Sequence, residues 1–562
     1  MDRMTKRGVG EYRSREAGPI ENNLIDELVA GELDRQEFIR RAVMFGIGAG
    51  TIGALLRFVG EEDLAFGATL APAKQGGTLR VGNLKATKAL DPITSNTQSV
   101  LASTSITGEY LLYTDPRNNA LRPQLATSYK PNKTGSRWTF QIRKGVKFHT
   151  GAPMTADDVV ATFKRLSDPK NASEALSAYK GVLSPGGVRK AGRYTVVFDL
   201  DAPTPSFPYL VSSTTYQAVI LPKGFQLGSY EKTKFPGTGP YKLQSYTPNV
   251  RATFVRNTAH WGGTPAFDQV VMTYYADSQS QILALQGGKL DLIPQFGYQE
   301  GRPLFRNKAL KVFQQKSAVH REIPMAVDSE AWKDKRVRVA MALLLNRPSI
   351  IKTLFGGLGS LGNDSPFAPN MQATNTSVPQ RKQDVARAKA LLQAAGATSL
   401  KTTITTGRAY ELPDLAVLVR NAAKLGGIDI APDILTYEAY YAGPQTVGPG
   451  GTPWLNAPMT ITDWAPRAVP DVYLISSFKT GGIWNASHIA NKRLDGLINQ
   501  FTAALELKSQ RKLAGQIQRL LLTETPVIFP YFYVYLAAGK KNIKGYVADS
   551  VGLVNLRGVS YA

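Results

Sequence analysis

Four histidines, His149, His260, His320 and His488, are the chain's only imidazoles, and no two are close enough in sequence to form a metal-ligand spacing. Cysteine is absent, which removes disulfides, thiolate nucleophiles and thiolate metal ligands. Asp157 and Asp158 form a carboxylate pair in sequence, yet neighbours on a helix point about 100° apart and cannot flank one scissile bond. Thr155-Ala156-Asp157-Asp158 instead has the form of a helix capping box, with Asp at its fourth position. The pattern Gly-x-Gly-x-x-Gly occurs at Gly48–Gly53 and Gly357–Gly362. The first lies in an apolar N-terminal run and the second follows a helical pattern, whereas a dinucleotide site needs a strand before and a helix after. There is no P-loop and no Gly-x-Ser-x-Gly elbow. Aromatic residues say more. The chain has 24 Tyr, 22 Phe and 6 Trp, with Tyr216, Tyr241, Trp261, Trp464 and Trp484 in proline- or glycine-rich loops, as ligand-lining surfaces require. Taken singly, each of these rings fits packing better than ligand contact, and no catalytic residue, metal site or cofactor is expected.

The elements that must hold such residues are strands and helices in alternation. Gly76-Gly77 leads into a short strand over 78–82. In Arg137–His149, Trp138, Phe140 and Ile142 alternate with polar residues, a turn falls at Lys144-Gly145, and Val146 and Phe148 resume the alternation. Val159, Phe163 and Leu166 place one apolar face on the helix behind the capping box. Further strands are predicted at 194–200, 269–274, 402–405 and 458–462. Helices are predicted at 278–286, 334–345, 383–395, 413–424 and 507–522. Such a mixture gives an α/β or α+β chain, and 562 residues without an internal repeat give more than one domain.

The net charge of +24 is uneven: residues 1–73 carry −3 and the remainder +27. A basic exterior favours anionic partners, but no run of five Lys or Arg and no aromatic–basic repeat occurs, so nucleic acid is not an expected partner. Ala42–Leu56 is an apolar run of fifteen residues behind Arg40-Arg41, the length of a signal-peptide core and short of a membrane span. With Ala71-Pro72-Ala73 downstream, it predicts export and cleavage near Lys74; an uncleaved run would leave the protein membrane-associated. The segment Leu33–Arg40 resembles a twin-arginine export signal in which Gln36 replaces the second arginine.

Seven stretches, in order, resemble the extracytoplasmic solute-binding proteins of peptide-type ABC importers, the dipeptide- and oligopeptide-binding family. They are Gly76–Val81, Trp138–Val159, Gly237-Thr238-Gly239-Pro240-Tyr241, Ala284–Asp291, Val337–Ile351, Ala388–Leu392 with Ala395-Gly396, and Glu524–Pro530. The resemblance implies an α/β, two-lobed periplasmic-binding-protein fold with an extra inserted domain and a ligand cleft closed by a hinge. It implies domain I over 74–109, 235–320 and 525–562, domain II as the insertion 110–234, and domain III over 321–524. Gly237-Thr238-Gly239-Pro240 reads as a flexible-then-rigid junction between domains.

By the same resemblance, Arg408-Ala409-Tyr410 matches a unit that holds the ligand carboxylate, for which a guanidinium offers two parallel hydrogen bonds. The family's amine-binding aspartate, three residues after a tryptophan, falls on Arg467 behind Trp464. Asp463 or Asp471 could supply the missing charge. A buried ammonium without its partner costs several kcal/mol, so Arg408 and Arg467 together favour a peptide-like, net-anionic solute. Trp464 would wall the ligand, and Tyr216 and Thr94 are further lining positions. The expected protein is a monomeric, non-catalytic periplasmic or extracytoplasmic receptor that delivers a small peptide or peptide-like solute to the transmembrane subunits of an ABC permease. The alternatives are a receptor for a non-peptide anion (an opine, oligosaccharide or chelate), a secreted hydrolase using Asp463 and Asp471, and an anchored scaffold.

Overall fold

A single twelve-stranded sheet runs through the protein, and its strands come from widely separated parts of the chain. The computed structural model describes residues 75–85, 91–94, 98–226, 235–448 and 450–562, all within one compact unit. The predicted export run, the Gln36 position, the cleavage site and the Gly48–Gly53 pattern lie outside the described residues. Along its main path the sheet reads Asp429–Leu435, Lys401–Gly407, Thr460–Trp464, Leu310–Pro324, Tyr531–Lys540, Leu292–Ile293, Thr78–Leu84, Gln269–Tyr275, Arg251–Arg256 and Tyr241–Thr247. Parallel pairs lie toward both ends, Thr78–Leu84 with Gln269–Tyr275 and Lys401–Gly407 with Asp429–Leu435. The centre is antiparallel: Leu310–Pro324 runs beside Tyr531–Lys540, with a register shift between Lys316 and His320.

Because the central strand is fifteen residues long, it reaches two separate cores. Phe313 packs in the first, with Leu79, Val81, Phe254 and Val270, while Ile323 packs in the second, with Ile404, Ile430 and Ile461. A third cluster, around Phe367, Tyr473, Phe501 and Phe529, includes Ala318 from the same strand. A separate antiparallel sheet of Ala126–Pro131, Arg137–Ile142, Thr195–Asp199 and Val188–Gly192 carries the helix Ala156–Ser167. Phe140, Phe163, Phe198 and Phe207 interlock there with ring centroids 5.0–6.4 Å apart.

The helix cap forms as expected. The Asp158 carboxylate accepts from the Thr155 backbone N–H at 2.8 Å, and Asp157 turns away to Lys190 at 2.6 Å. Val146 and Phe148 are buried on either side of exposed Lys147, but only an isolated bridge from Lys147 to Pro153 forms there, so the expected strand ends at Ile142. The Gly357–Gly362 pattern follows the helix Arg347–Phe355 and contains the short strand Gly359–Leu361, the reverse of a dinucleotide turn. Gly237 and Gly239 are buried, and a Cβ at either would lie 1.9–2.8 Å from the Thr107 carbonyl oxygen. Their requirement is close backbone approach, not the flexibility expected of a junction.

The C-terminal segment closes back onto the first core through Leu553, Val554, Leu556 and Val559. Its Arg557 reaches the carboxylate of Glu109 at 3.3 Å, where His260 Nε2 (3.1 Å), Trp261 Nε1 (2.7 Å) and Thr238 Oγ1 (3.0 Å) also converge. Arg143 and Arg557 each lie 4.2 Å from the Trp261 ring centroid. Burial opposes ionisation of Glu109, but His260, Arg557 and Trp261 outweigh it and hold the carboxyl below its ordinary range.

Candidate functional site

Where the central strand enters the second core it reads His320-Arg321-Glu322, paired antiparallel with Trp464, Asp463 and Thr462 in that order. Alternation along a strand sends Arg321 and Asp463 to one face and His320, Glu322 and Trp464 to the other. Two unlike environments result.

On the first face Arg321 is 4% exposed. Its Nε donates to Glu411 Oε1 at 2.9 Å and its Nη2 to the Tyr533 hydroxyl at 2.6 Å. Tyr531 donates to the same Glu411 oxygen at 2.6 Å. Burial disfavours the Glu411 carboxylate, but Arg321 and the Tyr531 and Tyr533 hydroxyls prevail and lower its pKa. Glu411 is held there by the turn Arg408-Ala409-Tyr410, which joins the strand Lys401–Gly407 to the helix Leu412–Lys424. Tyr410 has φ +49°, a left-handed conformation unfavourable for a bulky side chain, and its ring is 75% exposed while lying 5.3 Å from the Arg321 guanidinium carbon. Half-buried Asp463 accepts from the Tyr441 hydroxyl at 2.9 Å, and Tyr441 packs at 4.9 Å against Tyr437, itself 38% exposed.

The opposite face is sealed. His320 is fully buried, with Tyr473, Phe529 and Phe532 rings at 4.8–5.5 Å and the Trp464 ring stacked at 6.3 Å. Its Nδ1 lies 2.8 Å from the Ala318 carbonyl, which can only accept, so the ring proton belongs on Nδ1. Nε2 then faces Glu322 at 3.4 Å, and burial pushes the Glu322 pKa up, partly offset by His320 and Trp464. A protonated Glu322 donating to Nε2 satisfies both groups.

Of the residues singled out in the sequence, Tyr410 and Asp463 therefore meet around Arg321, and Trp464 stands on the other face of its strand against Tyr473 and Trp484. Arg408 is exposed at the strand end, and Arg467 is exposed with Nη1 3.1 Å from the Pro466 carbonyl. Among the described residues no hydrogen bond or ion pair joins the two arginines. Asp471 is half-buried, and loss of hydration pushes its pKa up to about 6 despite the nearby Ser206 hydroxyl. Tyr216 packs on the first core and its carbonyl accepts from Tyr110 at 3.2 Å; Thr94, half-buried, follows buried Ile93. Among the described residues no hydrogen bond or ion pair joins either to the Arg321 group. Arg321, Glu411, Tyr437, Tyr441, Tyr531 and Tyr533 are the members that sequence reasoning missed. The available signal was two charges, Arg321 and Glu322, inside an otherwise apolar strand end. Among the described residues no group of three His, Asp or Glu could hold a metal ion, and no helix is long and apolar enough to cross a membrane.

Residues 120–486 match the family described as bacterial extracellular solute-binding proteins, family 5 Middle. The oligopeptide-binding protein AppA of Bacillus subtilis (strain 168) is 25% identical over 503 residues, covering 84% of this chain and 89% of AppA. The glutathione-binding protein GsiB of Escherichia coli (strain K12) is 24% identical over 434 residues, covering 76% of this chain and 83% of GsiB. In three dimensions the ABC transporter substrate-binding protein CtaP of Listeria monocytogenes superposes with a TM-score of 0.74 at 20% identity, over 87% of this chain and 100% of CtaP. The chain belongs to the bacterial extracellular solute-binding proteins of family 5, which bind their solutes and do not catalyse.

Proposed function

We propose that this protein is the substrate-binding component of an ABC importer, capturing a peptide or peptide-like solute outside the cytoplasmic membrane and delivering it to the permease. The observation that carries this reading is the open side of the central strand, where a strained, exposed Tyr410 covers a buried, fully paired Arg321 beside Asp463. Strain of that kind is retained where the surroundings over-determine it, as at ligand clamps. The lobes are assigned as domain I (74–109, 235–320, 525–562), its insertion domain II (110–234) and domain III (321–524). The paired strands Leu310–Pro324 and Tyr531–Lys540 then serve as the hinge crossing. Arg408, Tyr410, Asp463 and Arg467 are assigned to the cleft from domain III, Tyr216 and Thr94 from the other side; Trp464, expected to wall the ligand, backs the same strand from its sealed face. Residues 1–73 are assigned as the export address, and the working form as a monomer.

Arginine at 467, where the resembled family carries an acid, favours a net-anionic solute. Glutathione, which the E. coli relative is named for binding, is a peptide of that class. The test is a thermal-shift screen of the native protein against short peptides, including glutathione. A ligand at about 100 times its dissociation constant adds about 2.7 kcal/mol of stability. Mass spectrometry should then return the ligand unchanged. Conversion to product would favour the hydrolase reading, and no shift with any peptide would contradict the proposal.

A further inference from the structure

We propose that the helix Tyr298–Arg306 and the turn behind it form a membrane-contact face, on which Arg302, Arg306, Lys308 and Lys541 meet anionic phospholipid headgroups while Phe305 and Leu283 enter the boundary beneath them. This face shares no residue with the Arg321 group, and it stands whichever solute the protein takes.

Residues 302–311 hold four cations and no acid. Leu304 turns inward, where it packs with Ile282, Leu285, Phe296 and Leu310. The helical period then leaves Arg302, Phe305 and Arg306 exposed together, since residues three and four apart share a face. Lys308 is exposed in the turn that follows, while Lys311 turns to the other side of the sheet, 5.0 Å from the Phe313 ring centroid. The Lys541 N–H donates to the Ala309 carbonyl at 3.3 Å, which brings another exposed cation to the same turn. Among the described residues none of Arg302, Arg306, Lys308 and Lys541 has an acidic partner. The helix dipole accounts for Arg306 in the last turn. It does not account for Arg302, a like charge four residues earlier that weakens the helix, nor for an exposed aromatic ring between the two.

The apolar members name the partner. Phe305 is 38% exposed, and its ring is held in place by Phe296 at 6.1 Å and Tyr298 at 5.9 Å. The helix Ser278–Gln286 packs into the same cluster through Ile282 and Leu285 and leaves Leu283 57% exposed. Cations around exposed aromatic and aliphatic side chains make up a segment that lies in a membrane interface. There the apolar groups sink to the acyl boundary and the lysines and arginines stay with the phosphates. The charge of +27 carried after residue 73 adds attraction to an anionic surface at longer range. The long helix Leu507–Glu524 supplies the contrast. It exposes Lys508, Arg511, Lys512 and Arg519, but no large apolar side chain within it is exposed, which is the composition of a solvated face.

The test sediments the full chain with vesicles of phosphatidylcholine alone and of equal parts phosphatidylcholine and phosphatidylglycerol. Binding to the mixed vesicles should be about tenfold tighter or more, and should weaken as salt is raised. Arg302→Gln with Arg306→Gln should lower it about tenfold. Phe305→Ser should lower it severalfold, and the thermal transition reports that each variant is folded. Lys508→Gln with Lys512→Gln removes the same charge from the solvated helix and should change binding by less than about twofold. The N-terminal apolar run is common to all of these proteins, so it cancels from the comparison between them. Equal binding to both vesicles, or equal losses in the two double variants, overturns the proposal. Binding to neither vesicle would also overturn it and would leave the patch to an acidic protein surface. A peptide thermal shift survives any of these failures, since none of the substitutions touches the proposed solute site.

Discussion

Glu109 and Arg321 are each the centre of a buried ionic cluster wrapped in aromatic rings, yet only the second ends in a widely exposed ring. Around Glu109 every neighbour points inward: His260, Trp261, Thr238 and Arg557 converge on a carboxylate that is 2% exposed. Its strength is spent on tying the C-terminal segment to the first core. Around Arg321 the internal charges also balance, but the cluster ends in surfaces that face outward, the 75% exposed Tyr410 ring and the Asp463 carboxylate. Burial and pairing make a cluster strong; incomplete pairing at an exposed edge makes it available. The sealed reverse face of the same strand, with Glu322 and His320, repeats the first lesson within two residues of the second.

The largest loss is expected at the second centre. Arg321→Met leaves Glu411 buried without its cation and should cost about 3–5 kcal/mol of stability in urea unfolding; a loss below about 1 kcal/mol would show that Glu411 is not held by charge. Glu109→Gln removes the ion pair with Arg557 and alters the hydrogen bond with His260 but keeps the shape, and a loss of about 2–4 kcal/mol is expected. Solute affinity should stay unchanged in that variant, because Glu109 itself is buried and takes no part in the proposed site.

Asp549 offers a third contrast, an acid buried with no cation beside it. Loss of hydration, with Asp115 adding to it, pushes its pKa up to about 7 against the hydrogen bonds from Val551 and Leu553 N–H. The folded state therefore holds a proton that the unfolded state releases near pH 4. Stability falls as pH rises from about 4 to about 7, and the penalty is fully present above that range. Asp549→Asn should cancel it, so the variant gains about 1–3 kcal/mol relative to the parent between pH 4 and pH 8. A pH-independent difference would contradict the assignment. The smallest effect belongs to Glu322→Gln. An amide copies the protonated acid, so near neutral pH the expected loss is under about 1 kcal/mol. A loss as large as that of Glu109→Gln would mean that Glu322 is ionised.

Much of this architecture is legible in the residue order, and the parts that are not share a cause. The strand Arg137–Ile142 and the helices Ser278–Gln286 and Lys335–Leu344 follow from period and caps, because those signals are local. Val146 and Phe148 show the limit: alternation fixed which side chains are buried but could not say whether a partner strand lies alongside. Tyr410 and Asp463 were reached through a family resemblance. Arg321 and Glu411, which hold Tyr410 in place, lie 90 residues apart and meet only through the register of the sheet. Register likewise decides that Asp463 and Trp464, adjacent in sequence, serve opposite faces. Gly237 and Gly239 were visible, but their reason, the carbonyl of Thr107, was not.

The proposed solute site is the open face of the central strand. Native mass spectrometry of the parent protein and Asp463→Asn, purified side by side and incubated with the peptide that gives the largest thermal shift, tests this most directly. A non-covalent adduct on the parent, released with its mass unchanged and at least tenfold weaker in the variant, is the predicted result. An adduct of equal strength on both proteins would place the solute elsewhere and contradict it.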